Sequence, residues 1–167
     1  MISPLAYVDA SAKLGANVTV HPFAYIDKNV EIGDDCEIMP HVSIMSGTVW
    51  ERGTASSMVL SLLPNRRILT YKGDDTIVEI GDDNVIRENV VINRATNSGG
   101  KTIIGNGNFL HEGVHVSHDT HIGNHSVFGY GSKISGNCMI EDYVIFGGNV
   151  LVSQGCRVGT WSMTQTG

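Results

Sequence analysis

The chain has 167 residues, a formal net charge of −6 at pH 7 and 7 % aromatic residues. This length predicts one domain, and the negative charge with scattered Lys and Arg argues against a nucleic-acid partner. No stretch approaches the roughly 18 apolar residues of a membrane span, and Met1-Ile2-Ser3-Pro4 does not begin a signal peptide, so we expect a cytoplasmic protein.

Bulky aliphatic or aromatic residues recur every six positions along most of the chain. A period of six fits neither a lone helix nor an alternating strand, and it predicts a β-helix in which each hexapeptide supplies one short strand and one turn. Three hexapeptides would form one triangular coil of 18 residues. The series consists of Ile2, Val8, Leu14, Val20, Ile26, Ile32, Ile38, Ile44, Ile80, Ile86, Ile92, Ile104, Leu110, Val116, Ile122, Phe128, Ile134, Ile140, Phe146, Val152 and Val158.

The three cysteines each follow a residue of this series by four positions, where small residues predominate elsewhere. Cys36, Cys138 and Cys156 are therefore predicted to be small, inward and reduced, and they do not form a metal-binding pattern. Cys138 and Cys156 are 18 residues apart and would lie in adjacent coils. A disulfide between them is sterically feasible, but the cytoplasm disfavours it.

Two segments leave the six-residue period. Residues 97–102 are polar and Gly-rich and are predicted to form a loop ejected from the coil. From Val49 to Thr70 the period places Trp50, Ser56, Leu62 and Ile68 on the series.

One explanation of the second segment is a change of reading frame. Reading each codon one base upstream places methionine at position 50 and isoleucine at positions 56 and 62, with permitted codon choices. We therefore hypothesise one base lost near the codon for Thr48 and one gained near that for Thr70. The alternative is a natural divergent insertion, and the nucleotide sequence of the gene decides between them.

Five of the seven histidines lie within residues 111–125. They are His111, His115, His118, His121 and His125, and Asp119 lies among them. His118 falls two residues after Val116, in a predicted turn, beside a carboxylate that can fix its tautomer. Such a pair is suited to general-base chemistry near neutral pH. The alternative is a solvated polar turn without a catalytic role.

Several short motifs resemble one family. They are Ile-Asn-Arg-Ala-Thr (92–96), Gly-Gly-Lys-Thr (99–102), His-Val-Ser-His-Asp (115–119), the opening Met-Ile-Ser-Pro-Leu-Ala-Tyr-Val and Ile-Arg-Glu-Asn-Val (86–90). The chain resembles, over nearly its whole length, the UDP-N-acetylglucosamine O-acyltransferases that begin lipid A synthesis. The alternative reading frame would also supply the Pro-Gln-Asp tripeptide of that family. The resemblance implies a left-handed parallel β-helix and a homotrimer with active sites between subunits.

The resemblance also implies an activity and residue roles. A 3-hydroxyacyl group would pass from acyl carrier protein to the 3-hydroxyl of UDP-N-acetylglucosamine, with no cofactor and no metal. His118 would be the general base, Asp119 would orient it, and the Gly136 N–H would face the oxyanion.

The remaining roles implied by the resemblance concern substrate binding. His115 would contact the sugar nucleotide and Gln154 the nucleotide, and Met163 with residues 165–167 would line the acyl-chain groove. Position 137 belongs to the same substrate site.

The chain departs from the family pattern in several places. Asn137 and Ser153 stand where histidines are frequent, which weakens the assignment of the nucleotide site. The Pro-Gln-Asp tripeptide is absent as translated. Family members also continue beyond position 167 with further coil and a C-terminal helical domain, which these residues do not include.

Three other functions are compatible with the sequence. The chain could be a hexapeptide acyltransferase that uses acetyl-CoA and another acceptor. It could be a metal enzyme of the β-helical carbonic-anhydrase type, which needs three histidines meeting across a subunit boundary. It could also be an inactive, truncated remnant.

Overall fold

The computed structural model describes residues 1–56 and 75–167, which wind into a parallel β-helix with three faces. Each coil adds one short strand to each face, and each strand pairs in parallel with strands of the neighbouring coils. The six-residue series occupies the last position of each strand, and from Val20 to Val152 its members in the described residues are buried. No helix in this part of the chain is long and apolar enough to cross a membrane.

The strands are numbered in chain order and repeat the three faces in turn. The first face contains β1 (Tyr7–Val8), β4 (Tyr25–Ile26), β7 (Ser43–Ile44), β12 (Val91–Ile92), β15 (His115–Val116), β18 (Lys133–Ile134) and β21 (Leu151–Val152). The second face contains β2 (Lys13–Leu14), β5 (Glu31–Ile32), β8 (Thr48–Trp50), β10 (Ile77–Ile80), β13 (Lys101–Ile104), β16 (His121–Ile122), β19 (Met139–Ile140) and β22 (Arg157–Val158). The third face contains β3 (Thr19–Val20), β6 (Glu37–Ile38), β9 (Ala55–Ser56), β11 (Val85–Ile86), β14 (Phe109–Leu110), β17 (Val127–Phe128) and β20 (Ile145–Phe146).

The pairing register locates the segments that leave the coil. Most partners are 18 residues apart, as Leu110 and Phe128 are. Ile80 instead pairs with Ile104, and Trp50 pairs with Ile80. These separations exceed 18 by six and by twelve residues. The six extra residues between β12 and β13 must lie outside the coil because the ladder keeps its register, whereas the segment between Ser56 and Asp75 lies outside the described residues.

The ejected loop is shorter than predicted. Residues 97–102 were expected to lie outside the coil, but Lys101 and Thr102 belong to β13 and pair with Ile77 and Val78. The bends and turns of the loop end at Gly99, and the N–H of Gly100 donates to Asn97 O at 2.7 Å. The extra strand positions arise because β10 and β13 are both four residues long.

Small polar residues inside the corners satisfy the backbone of the next coil. Between the second and third faces, the Asn84 amide donates to Gly81 O and Gly105 O, and its oxygen accepts from Asn108 N–H. Asn108 accepts in turn from Ser126 N–H. A continuous ladder of buried hydrogen bonds therefore holds successive turns in register.

Two of the three cysteines fill the predicted inward positions. Cys36 and Cys138 are buried, and each lies within hydrogen-bond distance of a carbonyl in the next turn, those of Glu51 and Ser153. Burial raises the pKa of both thiols. The third, Cys156, is exposed rather than buried.

The segment with the proposed change of reading frame lies largely outside the described residues, but its first strands are visible. Trp50 and Ser56 occupy buried positions between aliphatic neighbours, with Ser56 paired to Ile38 and Ile86. Within the described residues, neither the Trp50 indole N–H nor the Ser56 hydroxyl has a hydrogen-bond partner. Both residues thus place a polar atom where the same columns elsewhere are apolar.

We predict that Ser56→Ile stabilises the chain. The substitution removes a buried hydroxyl without a partner and adds apolar burial between Ile38 and Ile86, so the free energy of unfolding should rise by about 1–2 kcal/mol. Urea unfolding measures the change.

Ser126→Ala provides the matched control. Ser126 is equally buried, but its hydroxyl accepts from Val144 N–H and reaches Glu141 O. Its loss should lower the free energy of unfolding by about 1 kcal/mol. If both substitutions destabilise alike, the Ser56 hydroxyl is not misplaced in its column.

Candidate active site

Three stacked turns form the edge between the first and second faces. They carry His118-Asp119, Gly136-Asn137 and Gln154-Gly155, each between a strand of the first face and one of the second. Asn137 N–H donates to His118 O at 3.0 Å, and Gly155 N–H donates to Gly136 O at 3.0 Å. Because the turns stack directly, residues 18 apart in sequence meet at one edge.

His118 and Asp119 form a hydrogen-bonded pair. His118 Nδ1 lies 2.7 Å from Asp119 Oδ2, and the two side chains are 19 % and 11 % exposed. Asp119 has a φ of 57°, in the left-handed region. A carboxylate accepts, so Nδ1 carries the proton and Nε2 keeps its lone pair. The pair thus has the arrangement of a general base and its orienting carboxylate.

The Asp119 carboxylate is held from a second side by Thr96. The Thr96 hydroxyl donates to Asp119 Oδ2 at 2.6 Å, and the Thr96 N–H lies 3.2 Å from both carboxylate oxygens. Burial alone would raise the pKa of Asp119, but the hydrogen bonds from Thr96 and His118 outweigh it and lower that pKa. Asp119 is therefore ionised at neutral pH and can stabilise an imidazolium beside it.

Gly136 lies directly against the imidazole of His118. A Cβ built on Gly136 would lie 2.5 Å from both Cε1 and Nε2 of His118. The N–H groups on either side, of Ser135 and Asn137, donate to Val152 O and His118 O. The Gly136 N–H has no acceptor within residues 1–56 and 75–167. A donor without a partner beside a base is suited to bind a developing oxyanion.

The predicted substrate residues are distributed around this edge. His115 lies on β15, where its Nε2 is 2.9 Å from Asn93 Nδ2. Asn137 and Gln154 are exposed in the turns stacked on His118. His115 therefore lies on the first face next to His118, and Asn137 and Gln154 lie along the same edge as His118 in the next two coils.

Met163 lies elsewhere in the chain. It bridges to Ile145 on the third face and is 75 % exposed. The structure of one chain therefore does not bring it to the edge that carries His118.

The histidine cluster of the sequence is dispersed in space. Residues 111–125 cover most of one coil, so the five histidines lie on different sides of the β-helix. Besides His118 at its edge, His115 lies on the first face and His121 on the second. The other two corners of the coil carry His111 and His125. His125 stacks on Tyr143 at 5.3 Å. Among the described residues, no group of three or more His, Cys, Asp or Glu side chains could hold a metal ion.

Two residues next to the site were not assigned roles from the sequence. Thr96 holds the Asp119 side chain, and the Thr102 hydroxyl accepts from the Asp119 N–H at 3.0 Å. Both flank the loop that leaves the coil. The departure of this loop from the six-residue period was the feature of the sequence that could have pointed to them. The Thr96 contact depends on the register of 24 between β12 and β15, which the six-residue period alone does not specify.

Comparison with known proteins agrees with this architecture. The family model described as bacterial transferase hexapeptide (six repeats) matches residues 11–46 and 101–136. The acyl-[acyl-carrier-protein]–UDP-N-acetylglucosamine O-acyltransferase of Pseudomonas paraeruginosa is 36 % identical over 168 residues, covering 100 % of this chain and 65 % of the relative. The enzyme of the same name from Alkalilimnicola ehrlichii is 40 % identical over 93 residues, 55 % of this chain and 36 % of the relative.

Solved structures show the same likeness. A UDP-N-acetylglucosamine acyltransferase from Francisella novicida has a TM-score of 0.91 at 36 % identity, covering 100 % of this chain and 63 % of that one. One from Bacteroides fragilis has a TM-score of 0.82 at 42 % identity, covering 95 % and 67 %. The fold is thus that of the hexapeptide transferases, a left-handed parallel β-helix, as predicted.

Within that class, the chain belongs to the UDP-N-acetylglucosamine O-acyltransferase family. It spans between about one third and two thirds of the length of the relatives it matches.

We predict that Gly136→Ala displaces the His118 ring. Gly136 does not have a positive φ, so its backbone accepts alanine, but the methyl group would require the ring to move by about 1 Å to restore normal contact. The imidazole ¹H–¹³C signals of His118 should shift clearly while the chain stays folded.

Gly159→Ala serves as the control for this substitution. A Cβ at Gly159 would meet only Glu141 Oε2, at 3.9 Å, so the His118 signals should be unchanged. If Gly136→Ala also leaves them unchanged, the ring does not rest on Gly136 in solution.

Proposed function

We propose that this chain carries the acyl-transfer site of an enzyme that moves a 3-hydroxyacyl group from acyl carrier protein to the 3-hydroxyl of UDP-N-acetylglucosamine, the first step of lipid A synthesis. The observation that carries the proposal is the His118–Asp119 pair at a partly open edge, with an unpaired N–H beside it. Membership of the family supplies the substrates.

The first step is attack on the thioester. His118 Nε2 removes the proton of the sugar 3-hydroxyl as its oxygen attacks the thioester carbonyl carbon. The imidazolium that forms is stabilised by the Asp119 carboxylate, 2.7 Å from Nδ1. The tetrahedral intermediate carries a negative oxygen, and the Gly136 N–H is the donor placed to bind it.

The second step is collapse of this intermediate. The carbon–sulfur bond breaks, the ester to the sugar remains, and the imidazolium returns its proton to the leaving thiolate. The products are the 3-O-acylated sugar nucleotide and acyl carrier protein with a free thiol. The reaction needs no cofactor because His118 holds the only proton that moves.

The remaining site residues are proposed to bind substrate. His115 and Asn137 flank the base along the first face and its edge and would contact the sugar nucleotide. Gln154, exposed two coils away from His118, would reach the nucleotide. Met163 would line the acyl-chain groove. Since its substrates are soluble, we propose a cytoplasmic location.

The position of Met163 supports a homotrimer with sites between subunits. His118 lies at the edge between the first and second faces, and Met163 lies on the third face. They can serve one site if the third face of each subunit lies against that edge of the next. Such a head-to-tail contact closes into a ring. Ile145, next to Met163, is also 43 % exposed, as expected for a surface covered on assembly.

We predict that His118→Ala lowers kcat for acyl transfer by about 10²–10⁴-fold, the usual contribution of a general base. His121→Ala is the matched control, because His121 lies outside the proposed site and exposes its side chain on the second face. Release of the thiol of acyl carrier protein, with UDP-N-acetylglucosamine as acceptor, measures the rate.

The same assay with acetyl-CoA tests the other acyltransferase function. If the chain turns over acetyl-CoA but not the acylated carrier protein, acetyl-CoA is the acyl donor and the proposed donor is wrong. Equal inactivity of the unsubstituted chain and His118→Ala with both donors would favour an inactive remnant, and zinc bound at one equivalent per chain would favour the carbonic-anhydrase alternative.

We predict that the chain sediments as a trimer of 18.0 kDa subunits and that Ile145→Glu dissociates it. A charged carboxylate in an apolar contact is costly to desolvate. Glu31→Gln, in β5 on the second face, should leave the mass of the trimer unchanged. Sedimentation equilibrium at several protein concentrations distinguishes these outcomes, and a monomeric unsubstituted chain contradicts the proposal.

A further inference from the structure

The loop between β12 and β13 closes around Asp119. Thr96, at its start, binds the carboxylate through both N–H and hydroxyl, and Thr102, at its end, accepts from the Asp119 N–H. A Cβ on Gly100 would lie 3.4 Å from Asp119 Oδ1 and 2.7 Å from Asn97 O. The loop therefore contacts Asp119 at its side chain and at its backbone.

The contact between Thr96 and the Asp119 carboxylate matters because the His118–Asp119 pair does not lie in a strand. Asp119 is in a left-handed turn rather than a strand, so the orientation of its carboxylate depends on side-chain contacts. His118 binds only Oδ2. The Thr96 hydroxyl also binds Oδ2, at 2.6 Å, and the Thr96 N–H lies 3.2 Å from both oxygens, so Thr96 restrains the whole carboxylate group.

We propose that Thr96 is a positioning residue of the catalytic pair, which orients the Asp119 carboxylate towards His118 Nδ1. The inference rests on the proposed function of His118 and Asp119 and extends it to the ejected loop. It assigns a task to the first residue of the loop, which holds the carboxylate in place. Thr96 acts through Asp119 and need not touch the substrate.

The loop also links the pair to the segment that enters β10. Gly99 N–H donates to Asp75 O at 3.0 Å, and Ile77 N–H donates to Gly100 O at 3.2 Å. Asp75 and Ile77 thus support the loop that supports Asp119. A displacement of Asp75 can reach the His118–Asp119 pair along this short series of hydrogen bonds.

The chain contains a matched control for Thr96. Thr160 binds the Glu141 carboxylate in the same manner, with its N–H at 2.9 Å and its hydroxyl at 2.8 Å from Oε2. Glu141 lies in the turn after β19 and Thr160 in the turn after β22, both between the second and third faces, and neither has a part in the proposed site. Substitution of either threonine removes the same type of hydrogen bond to a carboxylate.

The experiment compares Thr96→Val, Thr96→Ser and Thr160→Val in the full chain. Thr96→Val should lower kcat for acyl transfer about tenfold with KM for UDP-N-acetylglucosamine within about twofold, which is less than loss of the base itself. Thr96→Ser keeps the hydroxyl and should restore most of kcat, and Thr160→Val should match the unsubstituted chain. In an Asp119→Asn background, Thr96→Val should have no further effect.

A second measurement does not depend on turnover. The ¹³C signal of the Asp119 carboxyl group, followed against pH, gives its pKa directly. The titratable group in contact with this carboxyl is His118. Thr96→Val removes a donor that stabilises the charged form, so the pKa of Asp119 should rise, while Thr96→Ser should leave it near the original value.

The two measurements separate the possible failures. If the unsubstituted chain is inactive but the carboxyl titration responds to Thr96→Val and not to Thr160→Val, the proposed function fails and the positioning contact stands. If turnover is normal and neither kcat nor the titration responds to Thr96→Val, the positioning role is overturned. A loss of kcat that Thr96→Ser does not restore also contradicts it.

Discussion

Constant register between successive coils is the constraint on which this structure depends. Each strand is only two to four residues long and would not be stable alone, so its backbone hydrogen bonds and its buried side chain both come from the coils on either side. A coil can therefore lose or gain residues only outside the ladder. This explains why the residues between β12 and β13 leave the β-helix as a loop and why the strands are in phase at Ile80 and Ile104.

The same constraint builds the edge that carries His118. Turns of successive coils lie directly over one another, so His118 in one turn rests on Gly136 of the next. Glycine at 136 makes room for the ring and leaves its N–H beside the base. The side chains of two adjacent residues, His118 and Asp119, meet because the left-handed turn at Asp119 bends the chain there. Thr96 and Thr102 then reach Asp119 from the coil before.

The constant register also explains how the ladder accommodates residues whose side chains suit the interior poorly. Trp50 and Ser56 remain in the ladder and pair with proper neighbours, yet each buries a polar atom without a partner in the described part of the chain. A parallel ladder can hold such residues because backbone pairing does not depend on side-chain type, whereas the packed interior does. The hypothesis of a changed reading frame would restore an aliphatic side chain at both positions.

The sequence by itself determined the repeat, the inward residues of that repeat, the position of His118 in a turn and its pairing with Asp119. These follow from local spacing, because a period of six maps directly onto strand and turn. Only the tertiary structure decided that the five histidines are dispersed, that Lys101 and Thr102 are in a strand, and that Cys156 is exposed. It also decided that Thr96 holds Asp119 and that Met163 lies on another face. These features depend on the lengths of the ejected segments and on which coil stacks on which, and the six-residue pattern carries neither quantity.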